Sequence, residues 1–192
     1  MNLPPLILAS ASPRRAELLR ELGVEFQALP GHAAEAEDDF LSPHELCQLN
    51  AYRKARVIAK KFPDALVLGA DTEVCLGAEI FGKPADLAEA ARMIERLQGR
   101  THEVVTGVCL IHLRAHRQKL FAVATSVSFR SLDAAQIRDY LAMINPLDKA
   151  GAYAIQEHGT MIVEKIDGSF SNVVGLPLER LQEELARWAR LA

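Results

Sequence analysis

Cysteine is scarce in this chain: Cys47, Cys75 and Cys109 are the only three in 192 residues, far apart and outside any CxxC pattern. That spacing excludes a disulfide framework and offers no ligand set for structural zinc. Cys75 and Cys109 lie inside apolar runs and read as small buried side chains. No hydrophobic run approaches the length that spans a bilayer, and the first apolar run has no basic segment ahead of it. Cytoplasmic residence with no membrane partner is therefore expected. Excess positive charge is missing too, with 22 Lys and Arg against 25 Asp and Glu and a net charge of −3. Such a chain has no global field to draw in polymeric nucleic acid, so any phosphate must be held by local clusters. The common phosphate fingerprints GxxxxGK[ST] and GxGxxG are absent, and so are GxSxG and HExxH.

What is present fits a soluble α/β protein. Hydrophobic residues make up 49% and charged residues 24% of the chain, and its 192 residues suffice for one domain, 1–192, with a substantial core. The opening apolar run and "VEFQALPG" read as strands. A helix is expected from about Pro43 to Phe62, with Leu46, Leu49 and Val57 on one side and Lys54 on its more polar surface. "ALVLGADTEVCLG" reads as a buried strand, a break near Asp71 and a second strand turning at Gly77. Asp86 with Glu89, and Asp133 with Gln136, have capping-box spacing; Gly99 closes the first of these helices and the second runs to about Met143. "HEVVTGVCLIHL" and "KLFAVATSVSFRSL" read as paired strands, the second alternating Phe121, Val123, Thr125, Val127 and Phe129 on one face. After the loop-like "NPLDKAGAYAIQEHG" come a strand over "TMIVEKIDG" and a closing helix that makes Trp188 core packing. The expected class is α/β, a mixed twisted sheet with flanking helices.

Near the start, Ser12 reads as a helix N-cap, Pro13 as the first helical residue and Gly23 as the residue past its end. Arg14 and Arg15 then occupy the first turn, where the helix dipole disfavours a cation by about 0.3–1 kcal/mol. An anion bridging the free N–H groups and both guanidinium forks removes that penalty, as when phosphate sits on a helix N-terminus. Two solvated arginines swung back along the helix are the plainer alternative.

Other candidates are individually ambiguous. Asp71, between Ala70 and Thr72 after an apolar strand, sits where α/β sheets open their clefts, a place also taken by turn formers and caps. Lys83 in "FGKP" and Lys149 in "LDKAGAY" are isolated loop cations that suit either phosphate or solvent, Lys149 with Asp148 beside it as a screening partner. Glu35, Glu37, Asp38 and Asp39 form an acidic loop. Magnesium takes one or two such carboxylates alongside phosphate oxygens and water; a solvated loop accounts for most of the four equally well.

Four stretches, "LASASPRRAELL", "LGADTEV", "GKPADLAEAARMIERLQGRTHEVVTGV" and "PLDKAGAYAIQ...VEKIDGSFSNVVGLPL", resemble in register the Maf family of nucleoside triphosphate pyrophosphatases. The resemblance implies two lobes around a central cleft, related to the inosine triphosphatase (Ham1) type, usually in a homodimer. It also implies hydrolysis of a nucleoside triphosphate substrate to the monophosphate and pyrophosphate with a divalent metal cation, Mg or Mn. By position, Asp71 matches the family's catalytic base. Ser10, Arg14, Arg15, Lys54 and Lys83 match its phosphate-binding residues, and Glu35 matches an acidic position associated with metal. Arg14, Thr72 and Gln156 match the positions that mark members acting on dTTP and UTP. The Gln156 amide both donates and accepts, as the N3–H and a carbonyl of uracil or thymine require. The chain departs from the family pattern at Ile144 and Asn145, at Glu73, and in "YAIQE" for "YGIQG".

A carboxylate beside a cation is a poor base, so Asp71 is expected either to take a proton from the attacking water or to hold the metal that acidifies it. A nucleotide-sensing regulator of cell division with little turnover is the alternative. The carboxylates at Glu35 and Asp71 argue against it, since a sensor has less need of a water-activating group.

Overall fold

The computed structural model describes residues 3–34, 36 and 40–190. β1 (Leu6–Leu8) is the first apolar run, buried at all of its positions. Ser12 caps α1 (Pro13–Glu21) by accepting from the Arg15 N–H, and Gly23 leaves the helix with a φ of 64°. β2 (Phe26–Ala28) follows, then α2 (Pro43–Ala59), opened by a capping box between Ser42 and Glu45.

β3 (Leu66–Leu76) runs unbroken through Asp71, so the break expected there is corrected. Thr72 and Val74 favour extended backbone, and the Asp71 carboxylate finds its partner on α2 rather than in a local turn. The turn comes at Gly77, φ 63°, ahead of β4 (Glu79–Phe81). α3 (Leu87–Leu97) starts at Asp86, which accepts from the Glu89 N–H; Glu89 in return accepts from Ala85 rather than from the cap residue. β5 (Thr101–His112) and β6 (Arg117–Phe129) come next, and then α4 (Ala134–Met143) with the Asp133–Gln136 capping box intact. Short 3-10 turns carry the chain through Pro146–Asp148, Ala150–Ala152 and Gly159–Met161 to β7 (Val163–Asp167), α5 (Phe170–Val174) and α6 (Leu178–Ala189).

Among the described residues, seven strands form one mixed sheet in the order β2-β1-β3-β5-β6-β7, with β4 also on β3. β1 runs parallel to β2 and β3, while β4 on β3 and β7 on β6 are antiparallel. The α/β class with a mixed sheet is thus as expected. No helix among the described residues is long and apolar enough to cross a membrane.

The chain divides into two compact units, residues 1–71, 106–123 and 175–192 in one and 72–105 and 124–174 in the other. In the first, Ile7, Val67, Cys109 and Ile111 pack with Ala51, Ala55 and Ile58 of α2. A Cβ on Gly69 would lie 2.3 Å from the Ala51 carbonyl oxygen, and one on Gly107 would lie 2.3 Å from the Cys47 carbonyl carbon. Helix α2 therefore rests on the bare backbone of β3 and β5, against its small residues. Lys54, expected on a polar surface, is instead only 14% exposed, because this close approach turns its side of the helix inward. In the second unit the core gathers Val74, Phe81, Ile94, Phe129, Ile137, Tyr140 and Ile162. Trp188 on α6 of the first unit is 5% exposed, with the Arg117 guanidinium 4.1 Å from its ring centre. Burial pushes the Cys75 and Cys109 thiols up to about 12, in keeping with inert core residues.

Candidate functional site

In the first unit the parallel register of β1 and β3 ends at Leu8 and Leu68, and Ser10 and Asp71 follow within three residues. Both therefore stand at the carboxyl end of the parallel strands, the edge at which open α/β sheets hold ligands. Lys54 Nζ donates to Asp71 Oδ1 at 2.6 Å, with the aspartate side chain 7% exposed. Asp71 Oδ2 is buried and has no hydrogen-bond partner among the described residues. A buried carboxylate oxygen without a partner is destabilising, so one kept in a native fold calls for a partner from outside the chain, a water or a ligand atom.

Around the start of α1, Ser10 Oγ accepts from the Ser12 N–H at 3.2 Å and from Arg15 Nη1 at 3.4 Å. Arg15 Nε donates to the Gly175 carbonyl at 2.9 Å. One edge of the Arg15 fork thus turns toward fixed acceptors, which eases its place at the positive end of the dipole. Arg14 is half-buried beside it in the first turn. The amide of Asn50, one turn before Lys54, accepts from the Ala36 N–H at 2.7 Å and donates to the Ala36 carbonyl at 3.4 Å. Glu35, Glu37, Asp38 and Asp39 lie outside the described residues. Among those described, no group of three or more His, Cys, Asp or Glu side chains is arranged to hold a metal. Asp71 Oδ2 is a hard anionic donor and fits a divalent cation whose remaining ligands come from phosphate and water.

In the second unit Thr72 is half-buried on β3, Lys83 is exposed between β4 and α3, and Gln156 is exposed in the irregular stretch after α4. That stretch reaches the lysine loop directly, since the Gly151 N–H donates to the Gly82 carbonyl at 3.0 Å. Lys149, which the sequence leaves open to phosphate or solvent, is only 5% exposed. Its Nζ lies 2.7 Å from the Asn145 carbonyl, 2.9 Å from Asp148 Oδ1 and 3.4 Å from Glu157 Oε1. The contacts to Asn145 and Asp148 are hydrogen bonds donated by the ammonium, and that to Glu157 is an ion pair. The Asp148 contact follows from adjacency; the contacts to Asn145 and Glu157 exist only once the chain has folded back.

None of the six histidines has metal-ligand spacing, and a lone histidine in an alternating strand, as His102 is, carries no further signal in the sequence. His102 is 2% exposed on β5, its Nε2 lies 2.8 Å from the Tyr153 hydroxyl, and the Phe129 ring meets it edge-on at 4.7 Å. Burial pushes the imidazole down to about 4. The unfolded chain takes up this proton near pH 6.5 and the folded chain only near 4, so the neutral ring's contribution is full above about 6.5 and lost as pH falls through that window. Between pH 7 and pH 5 the wild type should lose about 2 kcal/mol more than a His102→Gln variant in denaturant unfolding. Equal losses would mean that the buried imidazole titrates as it does in water.

Comparison with known proteins gives a consistent result. The family model described as Maf-like protein matches residues 5–188. A dTTP/UTP pyrophosphatase of Gloeobacter violaceus is 48% identical over 185 residues, covering 96% of this chain and 96% of that protein. A dTTP/UTP pyrophosphatase of Syntrophus aciditrophicus is 46% identical over 180 residues, covering 94% of this chain and 88% of that protein. Among solved structures, the Ham1 protein of Staphylococcus aureus aligns with a TM-score of 0.56 at 15% identity, covering 95% of this chain and 98% of that one, a likeness of fold.

Proposed function

The chain belongs to the Maf-like protein family, and on that premise we propose that it hydrolyses dTTP and UTP to the nucleoside monophosphate and pyrophosphate. The observation that carries the reading is the buried Asp71 carboxylate, one oxygen on Lys54 and the other without a partner among the described residues. In this reading a water attacks the α-phosphorus, its proton passes toward Asp71 Oδ2, and the bond from the α-phosphorus to the bridging oxygen breaks, so that pyrophosphate leaves. Ser10, Arg14, Arg15, Lys54 and Lys83 hold the triphosphate and offset the charge that develops on it, typically the largest contribution to catalysis. The guanidinium groups of Arg14 and Arg15 suit phosphate oxygens in fork geometry, with Lys54 and Lys83 as point charges. Gln156 and Thr72 face the base, the amide pairing with the N3–H and a carbonyl of the pyrimidine.

Asp71, with Glu35 as a second carboxylate, would hold a magnesium or manganese ion that screens the triphosphate and acidifies the water. We further propose a cytoplasmic homodimer in which each chain works as one catalytic domain.

A panel of nucleoside triphosphates incubated with Mg²⁺ or Mn²⁺, with pyrophosphate and orthophosphate assayed separately, tests the proposal. Pyrophosphate is expected from dTTP and UTP, well ahead of CTP and the purine nucleotides. Binding of UTP without release of either product would overturn hydrolysis in favour of a nucleotide sensor.

A further inference from the structure

We propose that Lys149 is a positioning residue for base recognition, pinning residues 145–157 so that Gln156 is presented to the pyrimidine ring in a fixed pose. The inference rests on the reading of Gln156 given above.

This stretch has little regular structure to hold it. It passes from α4 through two 3-10 turns, and consecutive residues, Gly151 at φ 67° and Ala152 at φ 62°, take the left-handed conformation. For alanine that conformation persists only where the surroundings enforce it. The enforcement comes from three anchors. Tyr140, fully buried on α4, donates its hydroxyl proton to the Ala154 carbonyl at 3.1 Å and accepts from the Ala154 N–H at 3.0 Å. Tyr153 is held by His102 at 2.8 Å. Lys149 then closes the stretch on itself, joining the Asn145 carbonyl at its start to the Glu157 carboxylate at its end.

Glu157 is the residue directly after Gln156, so the Lys149–Glu157 pair fixes the backbone on the far side of the amide, beyond the tyrosine anchors. Between Ala154 and that pair only Ile155 and Gln156 intervene. An exposed glutamine on an unanchored loop would sample many poses, and a two-point match to a base edge needs one of them. The Lys149 segment also bonds Gly82, next to Lys83, through the Gly151 N–H, so the same stretch braces the loop that carries a phosphate cation.

The test is kcat/KM for UTP and for CTP in the full-length protein and in Gln156→Ala, Glu157→Ala, Lys149→Met and Lys149→Arg. CTP keeps the ribose and triphosphate and changes only the base edge. Glu157→Ala and Lys149→Met are expected to lower the UTP-to-CTP ratio by roughly tenfold, through a higher KM for UTP more than through kcat. Lys149→Arg, which keeps the charge, should restore most of the ratio. Should Lys149→Met fail to fold, Glu157→Ala carries the test, because the Glu157 side chain is 44% exposed. If Gln156→Ala collapses the ratio while Glu157→Ala leaves it at the wild-type value, or lowers UTP and CTP turnover alike, the positioning role is overturned and the base reading stands. If Gln156→Ala itself leaves the ratio unchanged, the base reading fails and the inference with it.

Discussion

Asp71→Asn is expected to lower kcat for UTP by about 10² to 10⁴-fold while the protein stays folded. Asparagine has nearly the shape of aspartate, and its carbonyl can still accept from Lys54 Nζ where Oδ1 now does at 2.6 Å. What changes is the other atom: a buried oxygen that can take a proton or a cation becomes an amide nitrogen that can do neither. The defect should therefore fall on turnover rather than on the fold, and melting temperature together with pyrophosphate release separates the two. Both assignments of Asp71, as base or as metal ligand, require the loss. Raising Mg²⁺ tells them apart, since added metal partly restores a weakened ligand and does nothing for a missing base. Near-normal turnover would take Asp71 out of the chemistry.

The sequence was most legible where local signals agree. The Asp133–Gln136 capping box, the alternation of β6 and the helical spacing of Leu181, Leu185 and Trp188 all correspond to observed elements. Gly69, Ala70 and Asp71 look like punctuation, whereas β3 runs unbroken from Leu66 to Leu76 and the Asp71 carboxylate takes its partner from α2 instead of forming a local turn. Lys54 misled for a reason lying outside its own helix. The face α2 buries is set by Gly69 and Gly107 on two other segments, and these admit the helix on its alanine side, so the leucine spacing finds buried Leu46 but leaves out Ala51, Ala55 and the inward turn of Lys54, while Leu49 and Val57 are only half-buried. The five-residue α5 is too short for a helical period to show. Lys149 resembles Lys83 because both are lysines in loops; only the folded chain distinguishes a buried cation bonded to Asn145 and Asp148 from an exposed one.

Lys54→Met is expected to destabilise the protein by about 3–5 kcal/mol, more than Asp71→Asn does, as well as to remove a phosphate cation. Methionine fills much of the space of the lysine stem, so little of the effect should come from packing. The loss arises on the other side of the pair. Lys54 is the only hydrogen-bond partner of the Asp71 carboxylate among the described residues, and without it a side chain that is 7% exposed has neither oxygen matched. An uncompensated buried charge is far worse than a missing pair, because the two partners removed together leave nothing to desolvate. The double variant Lys54→Met with Asp71→Asn should therefore be more stable than Lys54→Met alone, despite carrying one more substitution. Chemical denaturation of the two single variants, the double variant and the wild type closes the cycle. Single-variant losses that merely add in the double variant would place the effect in the lysine's aliphatic contacts, and the account of Asp71 as a buried anion dependent on one cation would fail.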